Sequence, residues 1–79
     1  MVGGVMELDL HGMNTYQAQI AIDAALRRCG GGVYRLRLIH GYRGGTAIRD
    51  MLREEFSRHP RVIRLESSLN PGQTVFVLR

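Results

Sequence analysis

The chain has 79 residues, 44 % apolar and 23 % charged, the composition of one small globular domain rather than a disordered segment. Its single cysteine, Cys29, excludes an internal disulfide framework or a cysteine-cluster metal site and suits a reducing, cytoplasmic setting. No apolar run is long enough for a membrane span or a secretory leader. All eleven basic residues are arginines against seven acidic ones, for a net +4; residues 41–79 hold seven of the arginines against four acids. Arginine forks match phosphate oxygens, so the expected partner is an anionic polymer and not a membrane. A GC-rich genome also replaces lysine by arginine, but it accounts less well for the lopsided placement.

Met6, Leu8 and Leu10 alternate with Glu7, Asp9 and His11, which predicts a half-buried strand ending at Gly12, with residues 1–5 as an N-terminal extension. Asn14 and Gln17 have capping-box spacing, and Met13 is placed as a hydrophobic staple against Ala18. Ala18, Ala21, Ile22, Ala25, Leu26 and Cys29 share one face of the helix that follows, which must stop at Gly30-Gly31-Gly32. Residues 33–40 read as a second strand with Tyr34, Leu36 and Leu38 on the core face and Arg35 and Arg37 opposite. The glycine-rich loop 41–45 then leads to a second helix, capped by Thr46, with Ile48, Met51, Leu52 and Phe56 as its apolar stripe. Glu55 falls in that stripe and is expected at its rim or paired with an arginine. Pro60 ends the helix, and residues 62–67 and 73–78 read as two strands around the Asn70-Pro71-Gly72 turn.

Glu7, Asp9, Arg35, Arg37 and Arg64 occupy polar phases of their strands, so one face of the sheet should be wet. Both helices then cover the other face, an α/β two-layer sandwich in a single domain spanning residues 1–79. The first strand–helix–strand unit should join parallel neighbours.

An internal echo points to the functional edge. Leu8-Asp9-Leu10-His11-Gly12 and Leu38-Ile39-His40-Gly41 each run strand, histidine, glycine, helix, one βα unit apart. Both histidines therefore belong at the carboxyl ends of parallel strands, where open α/β sheets bind ligands beside helix N-termini. Asp9, His11, His40, the loop with Arg43, and a helix start would converge there.

These residues resemble the Smr (small MutS-related) domain family. Leu8-Asp9-Leu10-His11-Gly12 is similar to its LDLHG signature, and the run from His40 through Arg49 to its second motif, an HGxG or TGxG loop entering a helix. Pro71-Gly72-Gln73-Thr74-Val75 resembles its closing glycine-turn strand. The likeness covers residues 7–79, as for a stand-alone Smr protein. One departure is that two residues, Tyr42 and Arg43, separate Gly41 from Gly44, where the common family spacing is one. The resemblance implies a βαβαββ sandwich with one mixed four-stranded sheet, similar to the C-terminal domain of translation initiation factor three. It also implies nucleic-acid binding, with DNA-nicking or RNA-cleaving endonuclease activity, and maps the signature's aspartate and histidine onto Asp9 and His11.

Asp9, His11 and His40 are thus the candidate catalytic residues, as an acid–base set on a phosphodiester with Asp9 orienting the imidazole. Gly12, Gly41, Gly44, Gly45 and Thr46 are candidate nucleic-acid contacts through backbone N–H groups, and Arg43 and Arg49 through guanidinium groups. Tyr42 could stack on an unpaired base. The structural alternatives are plain turn-forming glycines, a strand-end histidine and a solvated aspartate. A non-catalytic DNA- or RNA-binding module is the competing function. No metal-ligand spacing is present, so no cofactor is required, with weak divalent-metal dependence through Asp9 as a variant. His59 reads as a helix-end residue. Tyr16 and Ile20 form a small outer patch suited at most to weak self-association of a monomer. Arg27 and Arg28 lie at the far end of the first helix and are expected to matter little for binding.

Overall fold

Strand alternation and helical capping produce the order β1 (Val5–Asp9), α1 (Thr15–Arg28), β2 (Arg35–Ile39), α2 (Ala47–Phe56), β3 (Val62–Ser67) and β4 (Gln73–Leu78). The structure, a computed structural model, describes residues 3–41 and 47–79. The sheet order is β1-β2-β4-β3, with β1 parallel to β2 and both β2–β4 and β3–β4 antiparallel. This is the expected mixed sheet with both helices on one side.

The helices form where the sequence supplies both an apolar face and a start signal. Asn14 Oδ1 accepts from the Gln17 N–H at 2.8 Å, and Gln17 Oε1 accepts from the Asn14 N–H at 3.1 Å, so the predicted capping box closes. Ala18, Ile22, Ala25 and Leu26 then bury against the sheet, as do Met51, Leu52 and Phe56 of α2. Glu55 remains exposed at the edge of the α2 stripe. From the sheet come Leu36, Leu38, Phe76 and Leu78 on the same inner face. Phe76 is fully buried, its ring 5.6 Å from that of Phe56, and joins the two layers at their centre.

The outer face of the sheet is wet but ordered by charge. Glu7 and Arg37 are register partners and pair at 2.7 Å. Arg35 on β2 and Arg64 on β3 both hold Glu66, at 2.7 and 3.0 Å. The Arg35–Glu66 pair reaches across β4, whose Val77 lies opposite both Arg35 and Arg64 in the register. Arginine stems shelter apolar surface, which explains why Val77 is only 9 % exposed on an open face.

Two expectations change. Tyr34, expected in the core, is 51 % exposed. The strand begins one residue later, and the Tyr34 ring packs on Gly4 instead. A Cβ at Gly4 would collide with that ring and approach the Gly32 carbonyl, and the backbone there is left-handed, at φ +81°. Residues 3–5 are also more than an extension: Val5 opens β1, and the Gly4 carbonyl accepts from the N–H groups of Tyr34 and Arg35.

Phe76→Ala should destabilise the domain by about 3–5 kcal/mol, measured by urea denaturation. The hydrogen bonds from Arg35 and then Arg64 hold the Glu66 carboxyl below its ordinary value of 4.5. A depressed folded-state pKa contributes stability above the unfolded value, which is lost as pH falls through the folded one. Glu66→Gln should therefore flatten the acid limb of the stability profile below about pH 4.5 and leave its alkaline limb unchanged.

Candidate functional site

The parallel register pairs Asp9 with Ile39, and the Leu10 N–H continues the ladder to the Ile39 carbonyl at 2.8 Å. His11 and His40 therefore leave the sheet at one edge, as the sequence echo predicts. Each is followed by a glycine in the left-handed region, Gly12 at φ +81° and Gly41 at φ +75°. The repeated His-Gly pair is thus a backbone requirement, since L residues are strained there. Both chains turn away from the sheet at these points.

The two histidines end in different surroundings. At the end of β1, Asp9 Oδ1 accepts from the backbone N–H of His11 at 2.9 Å, closing an Asx-type turn on the surface. Among the described residues no hydrogen bond joins this carboxylate to the imidazole; it orients the turn rather than the ring. Asp9, His11 and Gly12 are all exposed.

At the end of β2 the His40 ring is held on both sides. Its Nδ1–H donates to the Gly41 carbonyl at 2.7 Å, and its Nε2 hydrogen-bonds the Thr74 hydroxyl at 2.9 Å. A carbonyl can only accept, so Nδ1 carries a proton in this geometry. Thr74 is itself 9 % exposed. Both nitrogens of the candidate acid–base residue His40 therefore have partners within the fold, because β4 lies beside β2 and supplies the second.

Backbone donors are consumed in the same place. The Gly72 carbonyl accepts from the N–H groups of both His40 and Gly41, each at 2.9 Å. Gly72 is positioned by Asn70, whose Oδ1 accepts from the Gly72 N–H at 2.9 Å. A Cβ on Gly72 would stand 3.2 Å from the Gly41 Cα, so the two glycines permit this close approach. The Gly41 N–H consequently points into the protein and is not a donor for a phosphate, contrary to expectation.

Tyr42, Arg43, Gly44, Gly45 and Thr46 lie outside the described residues. Arg49 stands in the first turn of α2, half-buried, at the same edge. His59 sits beyond the other end of α2, where its Nδ1 accepts from the Arg61 N–H at 3.0 Å, in keeping with a helix-end role. Among the described residues no group of three or more His, Cys, Asp or Glu side chains could hold a metal ion. Also among them, no helix is long and apolar enough to cross a membrane. Thr74, Asn70 and Gly72 were not among the predicted site residues. Their signal was a threonine at a core phase of an otherwise apolar strand, directly after an Asn-Pro-Gly turn.

Residues 8–73 match the Smr domain family. The fold is similar to the crystal structure of the Smr domain of Thermus thermophilus MutS2, with a TM-score of 0.84 and 34 % sequence identity, covering 94 % of this chain and 98 % of that one. No curated protein matches the chain.

Thr74→Val leaves the half-buried His40 Nε2 without its hydroxyl partner and should cost about 1–3 kcal/mol, whereas Thr74→Ser restores the hydroxyl and most of the stability. Chemical denaturation of the two variants checks this. A valine variant as stable as wild type would show that the His40–Thr74 hydrogen bond contributes nothing.

Proposed function

We propose, from the premise that this chain belongs to the Smr domain family, that it binds nucleic acid and cleaves phosphodiester bonds at the edge formed by Asp9, His11 and the Gly41 turn. The observation that carries this reading is the exposed Asp9–His11 turn at the carboxyl end of a parallel strand pair, beside the starts of both helices. Helix starts favour anions, and the nearby arginines supply forks for phosphate oxygens.

In this mechanism Arg49 and Arg43 hold the phosphodiester and offset charge developing on its oxygens. His11 is the exposed imidazole and takes the proton from the attacking hydroxyl, which is water or, in RNA, the 2′-OH. The leaving oxygen receives a proton in return, and the bond from phosphorus to that oxygen breaks. His40 takes part in this second transfer only by exchanging one of its two internal bonds for one to substrate. Otherwise its ring serves to hold the Gly41 turn. Asp9 sets the His11 backbone and so fixes where the imidazole leaves the turn. The scheme itself demands no metal, and Asp9 offers at most a weak divalent site.

Asp9→Asn and His11→Ala should each reduce cleavage of labelled RNA or DNA by about 10²–10⁴-fold while retaining most of the affinity. Assays with and without chelator settle the metal question. Wild-type protein that binds but never cuts would leave a non-catalytic binding module. If His11→Ala cuts as fast as wild type, the chemistry is not at this turn.

A further inference from the structure

The fold sorts the arginines in a way the linear sequence hides. Arg35, Arg37 and Arg64 are paired on the open sheet face with Glu7 and Glu66. Five others gather at the opposite pole from the candidate site, where α1 and α2 end, β3 begins and β4 finishes. These are Arg27 and Arg28 in the last turn of α1, Arg58 and Arg61 between α2 and β3, and Arg79 after β4. The pole is physically tied together. Arg61 Nη1 donates to the Cys29 carbonyl at 3.0 Å, and the Arg79 N–H donates to the Arg61 carbonyl at 3.0 Å. Arg61 and Arg28 both oppose the rise that burial imposes on the Cys29 thiol pKa, which places both charges near that sulfur.

No Asp or Glu lies in the segments 27–34, 57–61 or 78–79 that build this pole. Helix-dipole complementarity accounts for Arg27, Arg28 and the Arg61 contact with Cys29. It does not account for Arg79, which follows a strand. Arg61 is turned inward: its Nη1 holds the Cys29 carbonyl and its Nε and Nη2 are buried, with no hydrogen bond among the described residues, so it braces the pole and the exposed arginines around it are the ones a ligand can reach. Arg27, Arg28, Arg58 and Arg79 are exposed. Asp50, Glu54 and Glu55 line a groove between α1 and α2 together with Thr15, Tyr16 and Ala47, so this acidic groove lies toward the helix starts, on the candidate-site side. The pole is therefore separate from the candidate site, at a distance of about the length of β2, roughly 17 Å.

We infer that this pole is a second phosphate-contacting surface, engaging the backbone of the nucleic acid away from the bond that is cut. The inference rests on the nucleic-acid reading above and reverses the expectation that Arg27 and Arg28 matter little. Contacts of this kind position a nucleic acid without reading its bases. They place affinity at one end of the domain and chemistry at the other.

The test compares two triple variants of equal charge loss. One is R27Q/R28Q/R58Q at the pole; the other is R35Q/R37Q/R64Q on the sheet face, where exposed pairs contribute little. Binding of a short labelled duplex DNA and of a mixed-sequence single-stranded RNA is titrated across salt concentrations. Circular dichroism melting confirms that both variants fold. The pole variant should bind about tenfold or more weakly at low salt, with the duplex slope of log K against log salt reduced by roughly 2–3. The sheet-face variant should stay close to wild type. Equal weakening of the two would mean that net charge alone acts, and would overturn the inference. Polyglutamate that competes as well as nucleic acid would overturn the phosphate assignment in favour of an acidic protein partner. A wild type that binds no nucleic acid at low salt removes the underlying reading and this inference together. A wild type that binds while the pole variant matches it removes this inference alone.

Discussion

The carbonyl oxygen of Gly72 accepts from two consecutive N–H groups, those of His40 and Gly41. The rest of the candidate edge depends on that one acceptor. It terminates β2, because the next residue must turn through the left-handed region, and Gly41 does so. It also fastens the β3–β4 hairpin turn to the end of the parallel pair, beyond the reach of the β2–β4 ladder itself. The Asn70 side chain holds Gly72 in place, and a Cβ on Gly72 would press against the Gly41 backbone, 3.2 Å from its Cα. The His40–Thr74 bond is the side-chain counterpart of the same fastening. Backbone and side chain thus close the same gap, and the chain leaves toward α2 from a fixed point.

The open face of the sheet follows a different logic. A small domain with two helices can cover only one face, and the other must tolerate water. Here β4 contributes Val75 and Val77 to the open side, and the arginines of the neighbouring strands reach over them. Glu7 and Glu66 then hold those arginines in register. The same pairing offsets much of their charge toward an anionic ligand. What remains unpaired on the described surface is segregated by helix direction. Both helices start at the candidate edge and end at the far pole, where arginines in the last turn of α1 complement its dipole.

Much of this was legible in the sequence because the signals were local. Capping-box spacing placed the start of α1, and the Asn-Pro-Gly turn placed β3 and β4 at their observed bounds. Alternation separated the core and wet faces of the strands, apart from Tyr34. That residue misled because its phase is apolar, but its position lies before the ladder begins, where a turn at Gly4 offers the ring another seat. Thr74 was passed over for a related reason. Its role depends on a partner 34 residues earlier, and only strand order brings His40 beside it. The acidic groove and the basic pole were equally hidden, since each is assembled from segments far apart in the chain.

Strand order also explains why two near-identical sequence signals end with different chemistry. The strand-His-Gly pattern occurs twice, and the local difference between the copies is Asp9, two residues before His11. In the sheet, β1 is an edge strand with a neighbour on one side only, whereas β2 is flanked by β1 and β4. The turn after β1 must satisfy itself, and it does so through Asp9, which leaves the His11 side chain exposed to solvent. The turn after β2 meets β4, and Thr74 and Gly72 take up its ring and backbone donors. An edge strand therefore ends in an available imidazole, and a central strand in a structural one. The aspartate belongs with the first copy because only there does the turn lack a neighbouring strand to hold it.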